Sequence, residues 1–302
     1  SQTDGPGRLS GSASYELSSS QYSASIEGTD WQVVPTEELP ASGLINLRFA
    51  GMGTTDAPRG AGDITVRDAA WQGSGLGDLS ASVTLDGGPD VQIEARAPEF
   101  SATATARVEI AAPHQAVVDA RANALDLARM LRDVTTPTPI GGLATGSVHI
   151  EGSLNAWRTG TALVEVTALD ATAGELPIRF TEPARVRYQD ERIHVDRFEA
   201  SAGETALSAS GDLPAFDATQ QAQGVLVVVT GGVGEVARAV AATGLTELPL
   251  TGGTGPVALL ARVTGSVQVP VLAADLEVGP GTISLLDLPQ VSGIQVRAHA
   301  GD

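Results

Sequence analysis

The sequence predicts an all-β chain: an elongated, curled antiparallel sheet of the groove or β-taco kind, with a few short helical inserts between repeat units. Three observations predict it. Apolar and polar residues alternate over most of the chain, Gly, Pro, Asn and Asp punctuate those runs at short intervals, and large core-forming side chains are scarce. Aromatics are only 4% of the 302 residues (five Phe, three Tyr, three Trp), Met occurs twice, and hydrophobics reach 42% mainly through Ala, Val and Leu. A compact chain of this length fills its core with rings and Met. Small apolar side chains suit a thin or open structure.

The alternation places the strands in order. Tyr22, Ala24 and Ile26 share one face near the start. Val91, Ile93 and Ala95 alternate with Gln92, Glu94 and Arg96. In Ser101–Ile110, Ala102, Ala104, Ala106, Val108 and Ile110 face one way and Ser, Thr, Arg and Glu the other. Val118, Ala120 and Ala122 alternate with Asp119, Arg121 and Asn123, and Val148 and Ile150 with Ser147, His149 and Glu151. The same dry face takes Val164, Val166, Ile193, Val195 and Leu207, then Ile294, Val296 and Ala298. One dry and one wet face is the mark of an antiparallel sheet, whereas parallel strands read as continuous apolar runs. Val225–Val229 is the main stretch that does so. Turns at Asp86–Pro89, Gly211–Pro214 and Gly279–Gly281, and a hairpin turn over Gln189–Glu191, favour meanders.

Helical spacing appears at Ala124–Arg132, stopped by the Thr/Pro cluster ending at Pro139, and at Val233–Ala241, stopped near Gly244; Thr36–Leu39 is a weaker third candidate. These inserts belong to a degenerate repeat. Each precedes a glycine-led strand, Gly43–Gly51, Gly142–Leu154 or Gly255–Val267, whose marker glycines are Gly51, Gly152 and Gly265. The expected organisation is residues 1–114 as β repeat units, 115–223 as a second and 224–302 as a third, with both ends cut from something longer.

Charge removes several function classes. The net charge is −18, and all eighteen basic residues are Arg. Nucleic acid demands clustered positive charge, and an anionic bilayer surface would repel the chain. There is no Cys, so neither disulfides nor Cys-ligated zinc are available. No apolar run is long enough to span a bilayer, so an anchor would lie outside these residues.

Catalytic motifs fare poorly. Val225–Ala237 places Gly232, Gly234 and Ala237 in G-x-G-x-x-A positions, but a dinucleotide site needs a parallel βαβ unit and an acidic residue ending the next strand. The next segment is instead the glycine-rich Thr251–Pro256, so a strand and glycine turn entering a helical insert is the favoured reading. His114, His149, His194 and His299 lack zinc spacing, and His149 and His299 fall on wet faces. There is no G-x-S-x-G elbow, and Ser74 in Gly73–Gly77 has no nearby base. Carboxylates are plentiful but form no marked pair, and Trp31, Trp71 and Trp157 are scattered, as if covering loops or sheet edges. No EF-hand loop is present. The chain is expected to be non-catalytic and to need no cofactor and no metal.

A one-sided sheet must cover its dry face. Closing it gives a sandwich or barrel; curling it without closure gives a trough with a dry floor. About twenty strands at about 4.8 Å spacing make a ribbon on the order of 100 Å long.

Two segments, Gly146–Trp157 and Leu260–Pro270, resemble the recurring strand–G-(T/S)-L-x-x-P–strand element of TamB and AsmA-like envelope proteins. Trp157 stands where the first would have Pro, and Val267 where the second would have Leu. Pro183–Leu213 is similar to that family's hairpin and closing strand, and Ala122–Leu131 to its insert between units. The resemblance covers residues 115–300 best. It implies a segment of a periplasmic bridge protein, anchored in the inner membrane, whose hydrophobic groove binds and conducts phospholipid acyl chains between the inner and outer membranes. The groove lining would comprise Val91, Ile93, Ala104, Val108, Ile110, Val118, Ala120, Val148, Ile150, Val164, Val166, Ile193, Val195, Leu207, Ile294 and Val296. Two alternatives stay open: a scaffold for outer-membrane β-barrel or autotransporter assembly, receiving client strands at sheet edges, and a surface adhesin or solenoid stalk.

Overall fold

A computed structural model describes residues 7–36, 41–54, 56–71, 74–131, 139–174, 176–216, 222–236, 250–267, 269–285 and 291–300. The chain divides into two compact units, residues 1–123 with 148–157 and residues 124–147 with 158–302. The fold is all-β and antiparallel, with nineteen strands among the described residues.

The first unit is a meander. Strands β1 (Arg8–Glu16), β2 (Gln21–Val33), β3 (Ala41–Thr54), β4 (Pro58–Trp71), β5 (Ser74–Asp86), β6 (Asp90–Ala97), β7 (Ala102–Glu109) and β8 (Gln115–Asp126) each pair antiparallel with the next. Strand β9 (Ile140–Ser153) contributes its residues from Val148 onward. Short hairpin loops set the register, and the register decides which side chains share a face. The 101–110 strand runs Ala102–Glu109; Ile110 lies just past its end, where its N–H donates to the Pro89 carbonyl at 2.8 Å.

The second unit contains the first part of β9, then β10 (Thr161–Ala173), β11 (Leu176–Phe180), β12 (Ala184–Gln189), β13 (Arg192–Ala202) and β14 (Thr205–Pro214). It continues through β15 (Gly224–Gly232), β16 (Leu250–Thr254), β17 (Pro256–Gly265), β18 (Pro270–Leu285) and β19 (Val291–Ala300). Here the meander is broken twice in the same way. β11 and β12 lie end to end, both pairing with β10 on one side and β13 on the other. β16 and β17 likewise both pair with β18. The expected hairpin turn joins β12 to β13: Asp190 and Glu191 both have positive φ, 53° and 58°, the pair of left-handed residues that a two-residue hairpin takes.

The first insert is shorter than its apolar spacing predicts. Among its described residues only Leu127–Met130 is helical (α1), because β8 runs on to Asp126, whose carboxylate then caps the turn by accepting from Ala128 N at 2.9 Å and Arg129 N at 3.3 Å. The second begins as a helical turn at Val233–Val236, and the residues after it lie outside the described ones. Of the third, Glu37–Leu39 also lie outside them. The glycines that lead the three repeat passages share a backbone state, with φ of 151° at Gly43, 113° at Gly142 and 112° at Gly255. β3 carries a register shift at that glycine, between Ser42 and Leu44.

Candidate functional site: the apolar face

Residues directly opposite one another on neighbouring antiparallel strands point to the same face, so the registers can be followed across the sheet as rungs. In the first unit one rung runs Gly11, Ile26, Phe49, Gly62, Val83, Ile93, Ala106, Val118. The rung beside it runs Leu9, Gly28, Leu47, Ile64, Ala81, Ala95, Ala104, Ala120. On the far side of the first lies Ala13, Ala24, Gly51, Gly60, Leu85, Val91, Val108, Ala116. Three neighbouring rungs across eight strands thus contain no polar side chain.

The opposite face carries the charge. Its rung Glu27, Arg48, Asp63, Ser82, Glu94, Thr105, Asp119 ends at His149, whose Nδ1 lies 2.8 Å from Asp119 Oδ1. His149 is therefore a wet-face residue, and alternation turns Val148 and Ile150 to the face of Val118 and Ala120. Arginines clasp carboxylates across strands on this side, Arg48 to Glu27 at 3.3 Å and Arg67 to Asp30.

The first unit's apolar face is only partly covered. Leu9 is 58% exposed and Ile26 43%, and Val91, Ile93, Ala104, Val108, Val118, Ala120 and Val148 are half-buried. Ile110 and Ile150 are exposed, in keeping with their places beyond and near a strand end. Between β4 and β8 the face holds an open cleft of about 310 Å³. Its walls and floor come from Ile64, Val66, Leu79, Ala81, Ala95 and Ala104, with Ala97, Ala102 and Ala120 completing the floor. Of these, the sequence reading placed Ala104 and Ala120 in the lining. It passed over Ile64, Val66, Leu79 and Ala81, although the Leu79, Ala81, Val83, Leu85 alternation was there to be read.

The second unit carries the same kind of face. Val164, Val186, Val195, Gly211, Val225, Val263 and Leu272 form one rung. Ala200, Leu207, Val229, Leu259 and Leu276 form another, and Ile193 lies opposite Tyr188 and Leu213. Val166 pairs with the buried Ala184. Ile294 and Val296 align with Gly281 and Val278, while their side chains lie outside the described residues. Much of this face is covered: Val225, Val257, Ala261 and Val278 are under 10% exposed. The cover near β17 and β18 is the chain itself, since Val233 and Val236 of the helical turn pack on Val257, Val278, Val229 and Leu276.

Val225–Val229 lies in β15, which ends at Gly232 and enters the helical turn at Val233, the arrangement favoured over a dinucleotide loop. β15 is antiparallel to both β14 and β17, so the parallel βαβ setting of a dinucleotide site does not exist there. Its Leu226 and Val228 turn to the polar face, opposite Ser210 and Ser208, and Leu260 beyond Val228 is 45% exposed. Trp31 sits within β2 opposite Ile45 and is 44% exposed. Trp157 does lie in an irregular segment, the 3-10 turns of Leu154–Thr159.

The second unit's wet face is laced by ion pairs. Arg187 meets Asp196 through two bonds of 2.6 and 2.7 Å, Arg192 meets Asp212 at 2.5 Å, and Arg185 meets Glu165. The Arg187 hydrogen bonds hold the Asp196 carboxyl below its ordinary range, against partial burial, which pushes the other way. Among the described residues no cluster of His, Asp or Glu has the geometry of a metal site, and no helix is long and apolar enough to cross a membrane.

Comparison of the sequence with protein-family models, with curated proteins and with solved structures finds no match to any of them.

Proposed function

We propose that this chain is a lipid-carrying segment of a cell-envelope protein, in which hydrocarbon tails rest on the apolar face and no bond is made or broken. The observation that carries the reading is the run of three adjacent rungs without a polar side chain, left partly open in the first unit. Such a face gains about 25 cal/mol for each Å² of apolar surface withdrawn from water, and a soluble monomer seldom leaves so large a patch uncovered without a use for it. An acyl tail covers it without needing a single hydrogen-bonding partner. The reading agrees with what the likeness to TamB and AsmA-like proteins implies: a periplasmic setting, phospholipid as cargo, and passage between two membranes.

Native mass spectrometry of the purified chain tests it. Phospholipid should copurify with the wild type. Ile93→Glu, which places a charge among Val83, Ala106 and Val118, should lower the lipid load, whereas Thr84→Glu, on the wet face between Ala61 and Gln92, should not. Lipid-free wild-type protein, or equal loading of the two variants, refutes the reading.

A further inference from the structure

We infer that the cleft between β4 and β8 is a slot for one unbranched hydrocarbon tail lying across the strands, with an alanine floor and a stop at Ile64. The inference rests on the reading above and gives it a defined site.

Side-chain size along the rungs carries the argument. From β5 to β8 one rung is Ala81, Ala95, Ala104, Ala120, while its neighbour is Val83, Ile93, Ala106, Val118. The floor therefore drops by one or two carbon layers beside the branched side chains of Val83, Ile93 and Val118, with Ala106 a low point in that wall. On the other side Val66 and Leu79 rise again at β4 and β5. Same-face residues along a strand repeat every two positions, about 7 Å, so Leu79 and Val83 stand about 14 Å apart across Ala81, and the gap left between their side chains takes a chain of methylenes. A helix, about 10–12 Å across, does not fit.

The polar side chains of Ser80, Arg96 and Thr103 belong to the opposite face by alternation, so at this level the cleft is floored by their backbone, and the ladder already satisfies those backbone groups. An occupant finds no hydrogen-bonding group to meet and must bring none. That excludes a peptide and favours hydrocarbon.

Length is set by the same rungs. The cleft spans five strands, four spacings of about 4.8 Å, or about 19 Å, comparable with an extended long-chain acyl tail. Towards β3 the alanine rung ends, because Ile64 and then Leu47 stand in it. Those two side chains would meet the tail's terminal methyl.

Displacement of a fluorescent fatty acid by unlabelled straight-chain fatty acids of increasing length, using the full chain, tests the slot. Ala95→Leu and Ala104→Leu fill the floor and should each weaken binding about tenfold. Ala61→Leu adds the same atoms on the exposed opposite face and should leave binding unchanged. Ile64→Ala should move the preferred length towards longer chains. A urea melt of each variant separates lost binding from lost folding. Wild-type-like binding by both leucine variants, or displacement by a fused-ring sterol as effective as by a fatty acid, overturns the slot and leaves the broader reading standing. If the wild type binds no fatty acid at all, both fall.

Discussion

Replacing Gly142 by Ala probes the backbone device that opens β9, and its neighbour supplies the control. Gly142 has a φ of 113°, a region in which a residue with a side chain is strained by roughly 1–3 kcal/mol. A Cβ built there would stand 2.3 Å from the Asp170 carbonyl oxygen and 2.5 Å from the Ala171 Cα. Both obstacles are backbone of β10, held in its own ladder, so β9 and β10 would have to part locally. Against this, Ala orders the unfolded chain and recovers about 0.4–1 kcal/mol. Strain less this gain leaves a loss of up to about 2.6 kcal/mol for Gly142→Ala, and parting the two strands adds to it. At Gly141 a new Cβ would meet only Thr172 Oγ1, at 3.8 Å, an ordinary contact without the strained φ. Gly141→Ala should therefore be neutral or gain a few tenths of a kcal/mol. Urea unfolding followed by circular dichroism reads both variants against the wild type. Equal midpoints for the two variants, or a Gly142→Ala midpoint matching wild type, would refute the geometry argued for this strand start.

Three further outcomes are expected. Thr205 is 2% exposed and its Oγ1 has no hydrogen-bond partner among the described residues, so Thr205→Val should be neutral or stabilising by up to about 1 kcal/mol in the same melt; a clear loss would mean that the hydroxyl is satisfied in solution. The Arg187–Asp196 pair gives a pH signature. The folded carboxyl titrates below its ordinary value of 3.8, so the pair stabilises above that pH and the contribution disappears as pH falls through the folded value. Arg187→Gln should accordingly lower the urea midpoint at neutral pH, with the difference shrinking as the pH falls below 3.8; a difference independent of pH would assign the effect to packing instead. Finally, Val233→Ala removes two carbons from a site 3% exposed beneath Val257 and Val278, and should cost about 2 kcal/mol while leaving fatty-acid binding to the first unit unaltered.

Much of the fold was legible because the side-chain period of a strand is two, and a dry face writes that period straight into the sequence. Val91, Ile93, Ala104, Val108, Val118 and Ala120 were placed on one face from alternation alone, and the registers put them in neighbouring rungs. Where the signal was diluted, reading failed. β4 offers Gly60 and Gly62 at positions where Ile64 and Val66 show the pattern, so its share of the cleft went unseen. At Ala124–Arg132 the spacing looked helical for longer than the helix lasts, because Ala and Leu serve a strand end as readily as a helix and only the Asp126 cap fixes the boundary. At Val225–Val229 the favoured strand and glycine turn do stand there, and the unbroken apolar run arises because Leu226 and Val228 lie on the second face, where apolar and hydroxyl neighbours tolerate them.

Taken alone, the sequence determined which residues are dry and which are wet, that the strands are antiparallel, and that charge is kept on one face, since each of these depends on the chemistry of near neighbours. Tertiary structure decided which dry residues stand side by side. A rung collects one residue from each of eight strands, from Leu9 to Ala120, and its members meet only through the lengths of the loops and the bulges between them. Four alanines scattered over forty positions become a floor only when register aligns them, and two valines of a distant turn become a cover only when the chain folds back on β17 and β18. Local pattern is written residue by residue, whereas the shape of a surface depends on alignments that no short stretch contains.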